Sequence, residues 1–413
     1  MDERRTRKTN ARRLLVGLGG IGYTPQETIC EIVDNAVSAE AENVYIRIGK
    51  LDEGLNDDRM NNVSEYLIID DGKGMTEDEM GDALDLGSDD SLYAPGALFK
   101  FGLGLKSASF ANSNRFELIS GVAGMFHKEY VDLDEIEDEY FSCVTDLNDQ
   151  DRQLVETYLC DGHGTIVRVA KIRNPEHPSI SSVIDDLKRK LGVIYYYFIK
   201  ENGLRLHLLN TTDAASSTIE PFDPLFVDEI QESAMLDEND WDGRTVRWLM
   251  TPKDVVLGSV AGKTITARIE MTQLPHPPTF QFEGRQIEVR NRYGIDAKNY
   301  GFYVYRNKRL ISWADRLDGI IPNDKDFYSF RGRIIIDESA DEVFRLDATG
   351  LRPMRSVVDA LEVCCALSLG KAKRTVSRIN KELARRKRPS ALTIANRLAA
   401  QLPPVTPPPA VMT

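Results

Sequence analysis

The run EYLIIDDGKGMTEDEM, residues 65–80, constrains the fold more than any other stretch of the chain. It opens as a short apolar strand that ends on two aspartates, Asp70 and Asp71, and turns through Gly72-x-Gly74-Met75. A helix follows at once, because Thr76 with Glu79 three residues on is the pattern of a capping box. A strand that passes directly into a helix through a glycine turn demands a sheet with helices packed on it. The chain therefore reads as α+β, with a turn in which a backbone can approach a ligand closely.

A second helix start lies upstream. In LLVGLGGIGYTP, Gly17, Gly19 and Gly22 have the spacing of a dinucleotide-binding glycine fingerprint. Such a fingerprint opens its helix inside the glycine run. Here the start signal comes later, where Thr24, Pro25 and Glu27 combine an N-cap, a proline at the first helical position and a capping box. Nor does an acid follow at the right distance on a strand, since Asp52 falls in a loop. The glycines are read instead as a flexible loop ahead of the first helix.

That helix, within TPQETICEIVDNAVSAEA, carries two stripes. Ile29, Ile32, Val33 and Ala36 form an apolar one, while Glu31, Asp34, Asn35 and Ser38 follow helical spacing on another face. Asparagine is a poor residue for a helix interior, and a glutamate one turn before it sets a carboxylate beside a carboxamide oxygen. Such a pair can activate a water and hold Mg²⁺. Two more segments continue the pattern. FKFGLGLKSASFANS sets Gly102 and Gly104 before a small-residue helix, where backbone amides can meet phosphate. DGHGTIVRVAKI is a turn feeding a strand, with Thr165 at the junction.

Composition sets outer limits. The 413 residues suit two domains, and 42% hydrophobic with 28% charged residues, without a long apolar run or a signal peptide, reads as a cytoplasmic soluble protein. Five cysteines without CxxC spacing indicate neither a disulfide framework nor a zinc site. Net charge is −13 but unevenly spread. Residues 218–243 hold nine acids and no base, whereas residues 371–388 hold nine Lys or Arg against Glu382 alone. The basic run and the basic N-terminal arm are candidate contacts for DNA phosphates, although a charge run is more often a solvated helix face.

In this order, the four boxes resemble the GHKL ATPase superfamily, which includes gyrase B, the ninety-kilodalton heat-shock chaperones, histidine kinases and MutL, and look most like its MORC branch. The resemblance covers roughly residues 20–170. It continues more weakly to about residue 360, where YGFYVYRNKRLISWA is similar to a strand and turn of the MORC transducer. It implies a Bergerat-type α/β sandwich over residues 1–210 with a lid at 87–101. An S5-like transducer domain over 211–370, a basic helix at 371–388 and a disordered Pro-rich tail at 389–413 would follow.

By the same resemblance, Glu31 is the general base and Asn35 the Mg²⁺ ligand. Asp70 accepts the adenine amino group, Gly72 and Gly74 let the turn approach the base, Met75 packs beside it, and Thr165 bonds near it through water. Gly102 and Gly104 offer amides to the phosphates of ATP, and Lys106 adds charge there. Two departures stand out: Ser38 where many relatives have Asp, and Phe99 where a fuller glycine loop has its first glycine. The residue that reports an intact γ-phosphate would be Arg352, in a T-x-x-R stretch with Thr349, with Lys308 as its competitor.

The function implied is an ATP-hydrolysing switch that pairs two N-terminal domains as a homodimer on binding ATP and Mg²⁺. It would act on DNA or a partner effector protein. An ATP-sensing scaffold without meaningful hydrolysis and a GHKL protein kinase are the alternatives; for the kinase, no histidine precedes His127 to accept a phosphate.

Overall fold

The computed structural model describes residues 10–20, 22–87, 104–173, 175–209, 216–230, 241–260, 262–347 and 350–387. Gly102, Thr349, the expected lid beyond Gly87, Arg388 and the tail lie outside them. The chain forms two compact units. One comprises Met1–Pro224, Val304–Ser312 and Ile335–Arg352; the other comprises Leu225–Tyr303, Trp313–Ile334 and Pro353–Thr413. The first unit thus runs past residue 210 and takes in two short segments from farther along the chain. Among the described residues no helix is long and apolar enough to cross a membrane.

The elements follow in chain order. Helices α1 (Ala11–Gly19) and α2 (Pro25–Ser38) precede strands β1 (Asn43–Lys50) and β2 (Val63–Asp70), then helices α3 (Glu77–Leu84) and α4 (Gly104–Asn112). Strands β3 (Ser113–Val122), β4 (Met125–Asp132) and β5 (Cys143–Thr145), helix α5 (Asp149–Tyr158) and strand β6 (Gly164–Ile172) come next. Helices α6 (Ile180–Ile194) and α7 (Tyr196–Asn202) lead to strands β7 (Arg205–Leu209) and β8 (Ser216–Thr218). Beyond them lie β9 (Arg247–Val260), β10 (Lys263–Gln273), α8 (Gln286–Arg292), β11 (Gly301–Arg306), β12 (Arg309–Asp315) and β13 (Phe330–Ile336). Short α9 (Asp341–Phe344), β14 (Leu346–Asp347) and β15 (Gly350–Leu351) precede the long α10 (Arg355–Lys387).

In the first unit, eight strands form one sheet in the order β5-β4-β3-β6-β2-β1-β7-β8. Neighbours β1 and β2 run antiparallel, and β1 and β7 parallel. Alternation sorts the side chains: Val44, Ile46, Ile48, Tyr66 and Ile68 turn to one face, where they meet Ile29, Ile32 and Val33 of α2 and Val183, Leu187 and Leu191 of α6. Leu67 and Ile69 turn to the other face and pack with Ile119, Ile166 and residues of α5. Strand β2 is apolar on consecutive positions because both of its faces are covered.

Beside α5 the second face is closed by a charged cluster. Lys128 lies 2.7 Å from Asp151 and 3.0 Å from Glu117, and Arg168 lies 2.7 Å from Glu117 and 3.1 Å from Asp151. Arg115 adds a contact of 2.9 Å to Glu117, and Arg168 one of 3.3 Å to Glu65, so each of these charges has an opposite partner.

Two expectations from the sequence change here. The glycine run is not a flexible loop, for Gly17 and Gly19 lie within α1, capped by Asn10, whose side chain accepts the Arg13 N–H at 2.8 Å. Gly19 is buried, and a Cβ there would lie 2.3 Å from the Phe110 carbonyl oxygen, so its role is close packing of α1 on α4. The basic run expected as a helix of its own at 371–388 is, as far as Lys387, the C-terminal part of one continuous α10 that starts at Arg355.

Strands β9 and β10, in the second unit, form a long antiparallel hairpin, and the second sheet has five strands in the order β12-β11-β13-β10-β9. The C-terminal half of α10 is docked rather than fully solvated. Ala372, Thr375, Val376, Ile379 and Leu383 are buried at helical spacing. Arg247, fully buried, donates to Gln273 Oε1 at 2.7 Å and Thr375 Oγ1 at 2.9 Å, beneath the Trp241 ring.

Candidate functional site

Helix α2 begins with the capping box read from sequence: Thr24 accepts the Glu27 N–H, and Glu27 accepts the Thr24 N–H at 2.8 Å. Its start is pinned to α4, since the Thr28 hydroxyl donates to Ala108 O at 3.0 Å and the Asn112 amide donates to Tyr23 O at 2.9 Å. The helix therefore presents its second turn in a fixed orientation. Glu31 and Asn35 are both half-buried there. The Asn35 Nδ2 donates to the Glu31 carbonyl oxygen at 3.1 Å, which commits the NH₂ group to the helix and leaves the carboxamide oxygen as the group it can offer.

Burial pushes the Glu31 carboxyl up to about 7; the neighbouring charges of Asp34 and Glu27 act in the same sense, and Arg309 opposes them. Tyr23 stands nearby, its hydroxyl raised by burial and by the Glu31 charge and hydrogen-bonded to Ser107. Neither Tyr23 nor Arg309 is prominent in the sequence. Tyr23 precedes the capping box without belonging to a motif, and Arg309 lies 275 positions from the carboxylate it binds.

The other half of the site is built on β2 and β6. Asp70 closes β2, is 5% exposed, and faces Thr165 across the strand pair. Its Oδ1 accepts the Gly72 N–H at 3.0 Å, and burial raises its carboxyl to about 7 despite that bond. Asp71 has a different task, accepting N–H groups of Glu42 and Asn43 at 2.9 and 2.8 Å, and so fixes the start of β1.

Past Asp70 the turn is held from two sides. Met75 N–H donates to the Ser120 hydroxyl at 2.9 Å, and Ser120 lies 2.8 Å from the Thr165 hydroxyl. The His163 Nδ1 donates to Gly72 O at 2.7 Å. Gly72 and Gly74 are buried; Gly74 has φ +67°, in the left-handed region that favours glycine.

Gly104 is the first residue of α4. Lys106 is 1% exposed, its ammonium donates to the Asp85 carbonyl oxygen, and burial draws its pKa down to about 8. Arg352 is exposed and follows β15, with its backbone N–H on Phe344 O at 3.1 Å. Lys308, also exposed, is 3.0 Å from Glu201 and 3.1 Å from the Asn202 side chain.

Among the described residues, no cluster of three or more His, Cys, Asp or Glu could hold a metal ion. A Mg²⁺ here would take the Asn35 oxygen together with oxygens of its substrate and water, which is the usual habit of that ion at phosphate sites. The donor set fits.

No match is found among curated proteins. Residues 23–165, the segment that carries Glu31, Asn35, Asp70, the glycine turn and Thr165, match the family model of the histidine kinase-, DNA gyrase B- and HSP90-like ATPases.

Proposed function

We propose that this chain binds and hydrolyses ATP as a switch of the GHKL type, resembling its MORC branch. The observation that carries the reading is one arrangement: a half-buried carboxylate and a carboxamide oxygen one turn apart on α2, in the same unit as the buried Asp70 and its glycine turn.

Asp70 accepts the adenine amino group in this reading. Its Oδ1 already accepts the Gly72 N–H, and when ionised the buried carboxylate gains from a further donor such as an amino group. Thr165, whose hydroxyl lies 2.8 Å from that of Ser120, bonds near the base through water in this reading. Asn35 holds Mg²⁺, which supplies charge neutralisation at the phosphates when bound. Glu31 takes the proton of the attacking water, and a carboxyl near pH 7 is matched to that task at neutral pH. Little covalent chemistry is asked of the protein, because phosphoryl transfer depends mainly on positioning and electrostatics. Lys106, Gly102 and Gly104 serve the phosphates, and Arg352 senses the third one.

Pairing of two chains on ATP binding, action on DNA or an effector protein, and a cytoplasmic location complete the proposal. Its test is Glu31→Gln, assayed for ATP affinity and for single-turnover hydrolysis. Loss of the base should slow hydrolysis by about 10²–10⁴-fold with affinity retained. Parental turnover in this variant would overturn the assignment of the base.

A further inference from the structure

Asp34 lies on α2 between Glu31 and Asn35, but its side chain turns into the protein and is 5% exposed. It is gripped there by Arg309, which belongs to the same compact unit through the segment Val304–Ser312. The Arg309 Nη2 is 2.7 Å from Asp34 Oδ2 and the Nε donates to Oδ1 at 3.1 Å, a two-pronged pair. The remaining nitrogen, Nη1, donates to Leu310 O at 2.9 Å. Tyr195, fully buried at the end of α6, sets its hydroxyl 2.8 Å from Asp34 Oδ1 and 2.9 Å from Cys30 O.

The segment that delivers Arg309 is itself anchored. The Tyr305 hydroxyl donates to Val193 O at 2.8 Å, and Arg306 pairs with Asp341 at 2.6 Å. Three elements therefore converge on one carboxylate within a turn of the half-buried Glu31. A planar fork specifies orientation as well as charge, which a lysine cannot do.

We propose that Arg309 is a positioning residue for the hydrolytic turn of α2: through Asp34 it fixes Glu31 and Asn35 in place, so that the seating of segment 304–312 governs turnover. This rests on the ATPase reading above. A clamp of this kind acts on the geometry of the reaction more than on nucleotide affinity, since small displacements of reacting groups are costly.

The test compares Arg309→Met, Arg309→Lys, Asp34→Asn and the double variant Asp34→Asn/Arg309→Met in the full chain. Turnover should fall about 10- to 100-fold in Arg309→Met with ATP affinity within about threefold, and Arg309→Lys should recover only part of it. The double variant should be no worse than the poorer single one, as for groups that act as a unit. Parental turnover in Arg309→Met, full recovery by lysine, or additive losses would overturn the proposal.

Hydrogen exchange separates this from the ATPase reading. Amides of residues 31–36 should exchange faster in Arg309→Met while those of β3 and β4 do not change, whether or not the parent hydrolyses ATP. Unchanged exchange in α2, or faster exchange throughout the sheet, would overturn the clamp. A parent without turnover would overturn the function alone.

Discussion

Gly74 and Gly121 touch so closely that a Cβ on Gly74 would lie 1.9 Å from the Gly121 carbonyl oxygen. The contact joins the turn after β2 to the body of β3, and Gly74 also has φ +67°. Gly74→Ala therefore meets both a backbone clash and a strained conformation, with a cost of about 1–3 kcal/mol for the strain alone. We expect a lowered melting temperature and loss of ATP binding by calorimetry. The contrast is Gly17→Ala, exposed in α1 with nothing within 4 Å of an added Cβ, which should gain up to about 1 kcal/mol from helix propensity. Equal behaviour of the two variants would show that the turn yields without consequence.

Asp70 offers a pH test of the ligand-free protein. Its carboxyl is raised by burial from 3.8 to about 7, so the folded state holds a proton that the unfolded state releases. The stability it contributes is fully present below about 4, falls as pH rises, and is lost above about 7. Parent stability measured against Asp70→Asn should decline across that window, by at most about 4 kcal/mol. At pH 8 the variant should be the more stable of the two and yet fail to bind ATP, because its amide presents a donor where an acceptor is required. A pH-independent difference would show that Asp70 is as well solvated when folded as when unfolded.

How much of this was legible depends on the range of the interaction. Capping boxes at Thr24 and Thr76 are local patterns, and both helices begin where those residues place them. The stripe of Glu31 and Asn35 and the strand end at Asp70 are equally local. Gly19 misleads because its signal is that of a loop, whereas its cause is the Phe110 backbone 91 residues away in α4. The Asp34–Arg309 pair and the Lys128–Asp151 cluster depend on tertiary proximity, which no spacing within one helix or strand reveals. The continuity of α10 was hidden by a change of composition, from mixed to strongly basic, that alters the exposed face but not the helix.

Arg352 and Lys308 remain rivals for the contact to the third phosphate, and removal of each distinguishes them. Lys308 already pairs with Glu201 at an exposed position, where such pairs contribute about 0–1 kcal/mol. Lys308→Ala should change neither ATP hydrolysis nor the shift to dimer caused by a non-hydrolysable analogue. Arg352→Ala should bind ATP nearly normally, hydrolyse it more slowly and dimerise less, since a charge-assisted bond present only with the third phosphate is worth about 1.5–3 kcal/mol. Light scattering with and without the analogue reads the difference. The reverse pattern would assign the sensor to Lys308.

The face of α10 away from the core carries Lys381, Arg385 and Arg386, all exposed, while Ile379 and Leu383 are buried against Trp241. Docking of the apolar side fixes which way the basic side points, and so turns a charge run into a surface of defined orientation. If that surface meets DNA, each phosphate contact releases condensed counterions, and affinity falls with salt by about 0.9 log units per log unit of salt for each contact. Replacing Lys381, Arg385 and Arg386 together with Gln should weaken binding of a mixed-sequence duplex and reduce the salt slope by as much as about 2.7, without preference among sequences. Stability should be nearly unchanged, because none of the three contributes to the buried side of the helix. An unaltered affinity and slope would leave this face as a solvated surface, with any DNA contact to be sought elsewhere on the chain.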